Sequence, residues 1–356
     1  MHPTLLIGPS DWQSERMPKA EFVRRVDALW QSCPEASRAL VYGNSRHHAE
    51  LAYLTNFVPK LEPAVALLSR SDEPRLFVGG GANMLRAARP LTWIEDVVPL
   101  KELESVGTSD CILIGRGYMS TTLRRTIGDA PDVTPRLWTH MRCKSPAELA
   151  AIREACITVS AASAAIADAK RSGASVTTAI LAGERAANDR GAQDVRTLFS
   201  VNGGRTLQPF DTLIERAVDP LQVYIAVRMF NYWSEGFALF SDRTSPAVEK
   251  AGALLRGVLA MIKPGSSTLA VADFVAAECA PYDCHPVTER ALATSIGLAL
   301  EEAPDTSPLA TFEAGEVYSV KIGLTDGADQ HAIGSAMIAL RGDATDVLWS
   351  SASPII

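Results

Sequence analysis

The chain has 356 residues, 47% hydrophobic and 21% charged, enough for two domains with their own cores. Its 34 basic and 41 acidic residues give a formal charge of −7, and no basic run or stripe occurs, which argues against a nucleic-acid partner and favours a small or neutral one. The N-terminus lacks the apolar core and cleavage site of a signal peptide, and no stretch reads as the roughly 20 apolar residues of a membrane span, so the expectation is a cytoplasmic protein with no membrane partner.

An amphipathic helix is expected over Phe22–Ser32, then a strand at Ala39–Tyr42 that stops at Gly43-Asn44. Ala64–Ser69 and Arg75–Val78 read as a strand pair across Ser71-Asp72-Glu73-Pro74, followed by a helix over Asn83–Arg89. Gly79-Gly80-Gly81 lies between that strand and that helix, but it matches neither the dinucleotide fingerprint nor the P-loop spacing and reads as a turn. Cys111–Gly115 is a further buried strand, and the alternation implies a small α/β domain. The six cysteines are scattered, with no C-x-x-C pair, and most of them read as buried thiols, Cys284 beside His285 included.

A boundary is expected near Pro135–Lys144, giving domains 1–140 and 141–356. Ser145-Pro146-Ala147-Glu148 then spells a helix start with a capping box, and a second helix follows over Val176–Asn188. Thr197–Val201 is a strand ending at Asn202-Gly203-Gly204. Val223–Thr244 reads as a buried antiparallel hairpin whose two arms join through the polar turn Tyr232-Trp233-Ser234-Glu235-Gly236. Helices are expected from Pro246 to the Lys263-Pro264-Gly265 exit and over Leu269–Cys279, and strands around Leu292–Leu298, Val317–Ile322 and Ile333–Leu340.

The order of Ser145-Pro146-Ala147-Glu148, Asn202-Gly203-Gly204, Gly236-Phe237, Arg243-Thr244, Lys263-Pro264-Gly265, Ile296-Gly297-Leu298, Glu302-Ala303-Pro304 and Gly315-Glu316-Val317 resembles the catalytic half of the pita-bread family. That family comprises creatinase, aminopeptidase P, prolidase and methionine aminopeptidase. Ser45–Leu68 resembles the creatinase-type N-terminal domain. The resemblance implies an α+β pita-bread domain behind a smaller α/β domain, and a homodimer.

In the metal-dependent members the hairpin carries two metal-binding aspartates. Counting back from Gly236-Phe237 and Arg243-Thr244 places Met229 and Phe240 there; Thr294, before Ser295-Ile296-Gly297-Leu298, and Lys321, six residues after Gly315, stand at two further ligand positions, and Gly334 or Ser335 at the last. None of these side chains is a ligand that a hard divalent cation prefers, so the expectation is no metal and no cofactor. Glu301 replaces a second family histidine, and Phe210 stands where the family has a substrate-handling one. Creatinase works without metal and has an acidic residue before its Arg-Thr pair, as Asp242 is here.

The leading expectation is therefore a metal-independent creatinase-type hydrolase acting on a C–N bond, or running a related acid–base reaction, in a small polar, carboxylate-bearing metabolite. Lys321, Glu301 and Asp242 would be catalytic, with Lys321 losing hydration in an apolar pocket and so favouring its neutral form. Phe210, Arg228, Met229, Phe240, Thr294 and Ser335 would line the pocket. Arg46 could bind a substrate carboxylate in a neighbouring subunit's pocket. The structural alternatives are a Lys321–Glu301 pair that fills a vacated cavity and an Asp242 that only pairs with Arg243. His285 and His331 read as ordinary loop and turn residues. A second reading is a non-catalytic binding protein with its cavity plugged by Phe210, Met229 and Phe240. A third is a metallopeptidase relocated to Asp283, His285 and Glu289.

Overall fold

The computed structural model describes residues 11–107, 110–210, 212–242, 246–279, 284–286, 292–302, 311–326 and 331–351. The chain divides into two compact units, Met1–Arg142 and Cys143–Ile356.

The first unit is built on β1 (Arg38–Gly43), β2 (Ala64–Ser69), β3 (Arg75–Val78), β4 (Asp96–Pro99) and β5 (Cys111–Ile114), in the order β4-β3-β2-β1-β5. β1 runs parallel to β5 and β3 to β4, and the other neighbours are antiparallel. Leu40, Tyr42, Val65, Phe77 and Leu113 form the core on one side of the sheet. α1 (Lys19–Ser32) buries Phe22, Leu29 and Trp30 as its periodicity predicts. It also buries Arg25, which Glu21, the Tyr53 carbonyl and the Tyr53 ring satisfy together. α2 (Ala49–Thr55), α3 (Ala82–Ala88), α4 (Thr121–Ile127) and α5 (Thr134–Arg142) complete this unit. Gly79-Gly80-Gly81 helps line a cavity of about 610 Å³ whose walls mix Leu100, Leu103 and Leu123 with Lys101, Ser120 and Glu104.

In the second unit α6 (Pro146–Arg171) starts with the expected capping box between Ser145 and Glu148. This helix is long and apolar enough to cross a membrane, contrary to the sequence expectation, yet 56% of its most apolar window is buried inside the unit. It is a core helix. α7 (Val176–Asp189) packs on it where Gly183 admits the Ile166 side chain.

A three-stranded antiparallel sheet follows: β6 (Asp194–Ser200), β7 (Leu221–Met229) and β8 (Tyr232–Phe240), with β7 in the middle. The hairpin turn is Phe230-Asn231, both at positive φ (49° and 70°), as a two-residue turn between twisted strands requires. The sequence placed the turn at Tyr232–Gly236, and those residues are strand instead. α8 (Pro246–Met261) and α9 (Thr268–Cys279) then pack on a second sheet. Its path is β10 (Ala293–Ser295), β11 (Val317–Asp326), β12 (His331–Arg341) and β13 (Ala344–Ser350), with the short β9 (Cys284–Pro286) also on β11. Leu254, Leu255 and Val258 of α8 and Val271 and Val275 of α9 cover Val320, Ile322, Leu324, Ala336 and Ile338. Each sheet thus has a helix pair on one face. The two sheets meet where the Phe237 amide donates to Ser335 Oγ at 2.7 Å.

Candidate active site

Side chains alternate across a strand and register partners share a face, so the pairing of β6, β7 and β8 assigns every residue to one of two faces. Val223/Ala238, Ile225/Gly236, Val227/Ser234, Met229/Tyr232 and Leu221/Phe240 form one face. α6 covers it: Tyr232 donates to Glu148 at 3.1 Å, and Cys156 Sγ lies 3.2 Å from Ser234 Oγ. Gln222/Leu239, Tyr224/Phe237, Ala226/Glu235 and Arg228/Trp233 form the other. On the second sheet Val320, Ile322 and Leu324 point into the helix core, so Ser319, Lys321 and Thr325 take the opposite face, with Ser335 beside Lys321.

These two helix-free faces meet at Lys321. Its Nζ lies 2.5 Å from Glu235 Oε1, with the side chains 10% and 3% exposed. Oε1 accepts no hydrogen bond, so the contact is an ion pair, and Tyr224 supplies a hydrogen bond by donating to Oε2 at 2.5 Å. The Phe237 ring stands 5.0 Å from that of Tyr224, and Ser335, fully buried, anchors the strand beside it. An ammonium, a carboxylate and a phenol therefore form one buried chain.

Several expected site residues lie elsewhere. Met229 and Phe240, 5% and 2% exposed, sit on the α6 side of the hairpin and cannot wall a pocket around Lys321. Phe210 packs on Phe199 with ring centroids 4.9 Å apart, and Phe199 is the register partner of Val223 on that same helix side. Glu301 is exposed, so the acidic partner of Lys321 is Glu235 and not Glu301. Asp242 is 82% exposed at 3.7 Å from Lys170, and its amide donates to Asp219 Oδ1, so it belongs to a surface network at the end of β8. Gly334 falls opposite Ile322 on the helix side, leaving Ser335 on the site face. Thr294 is opposite Ser319, its hydroxyl 3.5 Å from the Ser319 carbonyl. Arg46 is an exposed residue of a first-unit loop whose amide donates to Asn44 Oδ1. His285 and His331 both stand opposite Thr325, so they are strand residues and not turn residues. Arg243, Thr244, Asp283 and Glu289 lie outside the described residues.

Arg228 is on the site face. It is 3% exposed, and burial lowers its guanidinium below the ordinary value, a shift that Asp194 opposes and Arg196 assists. Glu235 and Tyr224 are the site residues that sequence reasoning missed. The available signal was alternation: Tyr224, Ala226 and Arg228 keep step along one arm, and Trp233, Glu235 and Phe237 along the other, once the turn is set at Phe230-Asn231.

Among the described residues no three His, Cys, Asp or Glu side chains gather within reach of one metal ion. The donors around Lys321 do not suit one either, since its ammonium holds the Glu235 oxygen that a cation would need and repels a second positive charge.

No protein-family profile matches the sequence, and no curated protein matches it. Solved structures do. Aminopeptidase P from Escherichia coli superposes with a TM-score of 0.72 at 16% identity, covering 97% of each chain. X-Pro aminopeptidase from Thermotoga maritima gives 0.70 at 15% identity over 95% of this chain and 97% of that one. Prolidase from Pyrococcus horikoshii gives 0.73 at 14% over 92% and 97%. At these identities the likeness establishes architecture, and the chain has the pita-bread fold seen in aminopeptidase P and prolidase.

Proposed function

We propose that the protein is a metal-independent enzyme of the creatinase type, a hydrolase of a C–N bond in a small polar, carboxylate-bearing metabolite, with Lys321, Glu235 and Tyr224 as its acid–base machinery. The observation that carries this reading is the buried Lys321–Glu235 pair with Tyr224 on the second carboxylate oxygen. A paired ammonium and carboxylate can serve opposite halves of a hydrolysis. Glu235 takes a proton from water as the water oxygen bonds to the carbon. The carbon–nitrogen bond then breaks, and the leaving nitrogen takes a proton from Lys321. A proton passing from Glu235 to Lys321 restores the resting pair. Tyr224 holds Glu235 in place by its hydrogen bond. The local positive charge that stabilises a developing oxyanion comes from Lys321.

The test is a screen of carboxylate-bearing amides, ureas and guanidines for released amine or ammonia, run on chelator-treated protein. Turnover is expected without added metal, lost in Lys321→Met and Glu235→Gln, and retained in Glu301→Gln and Asp242→Asn. Turnover that depends on an added divalent ion, or that survives Lys321→Met, overturns the reading.

A further inference from the structure

The face that carries Glu235 also carries a buried cation that makes no ion pair among the described residues. Arg228 is 3% exposed and its Nε is buried without a hydrogen-bond partner. Its register neighbour on β6, Asp194, lies 3.4 Å from Arg196. The Arg228 guanidinium lies over the Trp233 ring at 5.4 Å, and that of Arg196 over the same ring at 4.6 Å. The ring supports both cations but cannot neutralise them. Arginine stays protonated in proteins, and a cation stripped of water without an opposite charge is a standing cost that folding alone gives no reason to keep. An anion would remove that cost. The planar fork of a guanidinium suits a carboxylate, which it can hold by two parallel hydrogen bonds.

The hairpin register gives the backbone spacing between this cation and the acid–base pair. Ala226 is opposite Glu235, and Arg228 is two residues further along the same strand on the same face. Two strand residues span roughly 7 Å. We propose that Arg228, backed by Trp233 and assisted by Arg196, receives the carboxylate of the substrate, and that the site selects linear acids whose reacting bond lies about 7 Å from that carboxylate. This rests on the acid–base reading of Lys321 and Glu235 for the position of the reacting bond, but the carboxylate receptor stands on Arg228 itself.

The experiment is calorimetric titration of the full chain with N-acetyl ω-amino acids of increasing length, from N-acetylglycine to N-acetyl-6-aminohexanoate, and with their primary amides. Carboxylates are expected to bind with an optimum among the longer members, and their amides to fail. Arg228→Gln should weaken binding about thirty-fold or more, Arg228→Lys less, and the half-exposed Arg196→Gln a few-fold. Arg196→Gln is the safeguard should Arg228→Gln not fold. Equal binding of acids and amides, binding unchanged in both the Arg196→Gln and Arg228→Gln proteins, or no binding at millimolar concentration overturns the receptor, and binding without a length optimum overturns the spacing. Because titration reads binding, loss of the Lys321–Glu235 chemistry would leave these results standing, whereas acid binding indifferent to Arg228 and Arg196 would sink this proposal and leave the acid–base reading intact.

Discussion

Removing the charge of Lys321 should harm the protein more than removing both charges of its pair. In Lys321→Met the Glu235 carboxylate, 3% exposed, keeps only the Tyr224 hydrogen bond. Breaking a buried ion pair by deleting one partner costs about 3–5 kcal/mol, because the remaining charge is left without water or partner. The Tyr224 bond, a hydrogen bond to a charged group worth about 1.5–3 kcal/mol, holds the loss toward the lower end, near 3 kcal/mol. Lys321→Met/Glu235→Gln removes both charges, keeps most of the volume and should fall within about 1 kcal/mol of the parent, roughly 2 kcal/mol more stable than Lys321→Met alone. Urea unfolding of the parent, the two single variants and the double, followed by tryptophan fluorescence, measures it. Trp233, 2% exposed in the same hairpin, reports on the relevant strand. A double variant no more stable than Lys321→Met would refute the reasoning. The two groups would then be independent, and no proton could be shared between them.

Placing aspartates at Met229 and Phe240 should not create a metal site, because both positions face α6; the double variant should be destabilised by about 3 kcal/mol or more and bind no divalent ion in a metal titration, and stoichiometric binding would overturn the face assignment. Cys156, whose thiol burial pushes up to about 12, should resist alkylation until urea unfolds the chain, while exposed Cys143 labels at once, as peptide mass mapping can show. The Asp219 carboxyl is raised by burial but held below its ordinary value overall by Lys170, whose Nζ donates to it at 2.8 Å. Its folded pKa is depressed, so its stabilisation is complete above about pH 4–5 and lost as pH falls through the folded value; Lys170→Met should flatten that part of the stability–pH curve.

The phrases that made the fold legible turn out to be packing devices. Lys144 pairs with Glu302, whose Oε1 also accepts from the Leu298 amide at 2.6 Å, and a side chain at Gly297 would strike both partners of that pair. Burial pushes the Glu302 carboxyl up while Lys144 pulls it down, so the pair needs the close backbone approach that Gly297 provides. Gly204, at φ 82°, lies against the His331 carbonyl, and Gly236 against the Trp349 ring. Residues that hold backbones together at such contacts tolerate little change. They announce an architecture whatever the site contains. β4, α4, α5, β9 and β13 carry none of these phrases in their own sequences and were not foreseen.

The site was harder to read because its identity depends on one register. Setting the hairpin turn at the polar run Tyr232–Gly236 treats Glu235 as a solvated turn residue and sends Met229 and Phe240 to the pocket by counting from Arg243-Thr244. The polar run looked like a turn because Ser and Glu are poor strand formers, yet each has a partner that explains it: Ser234 meets Cys156 under α6, and Glu235 meets Tyr224 and Lys321 on the opposite face. The actual turn uses Asn231, which tolerates positive φ and whose amide donates to Gln193 Oε1 at 2.6 Å, with Phe230 carried along at φ 49°. Strand alternation then acts as a switch with two positions. Moving the turn changes which residues face α6 and which face Lys321, so the relined cavity inferred from counting dissolves, while a lysine, a glutamate, a tyrosine and an unpaired arginine come onto common ground.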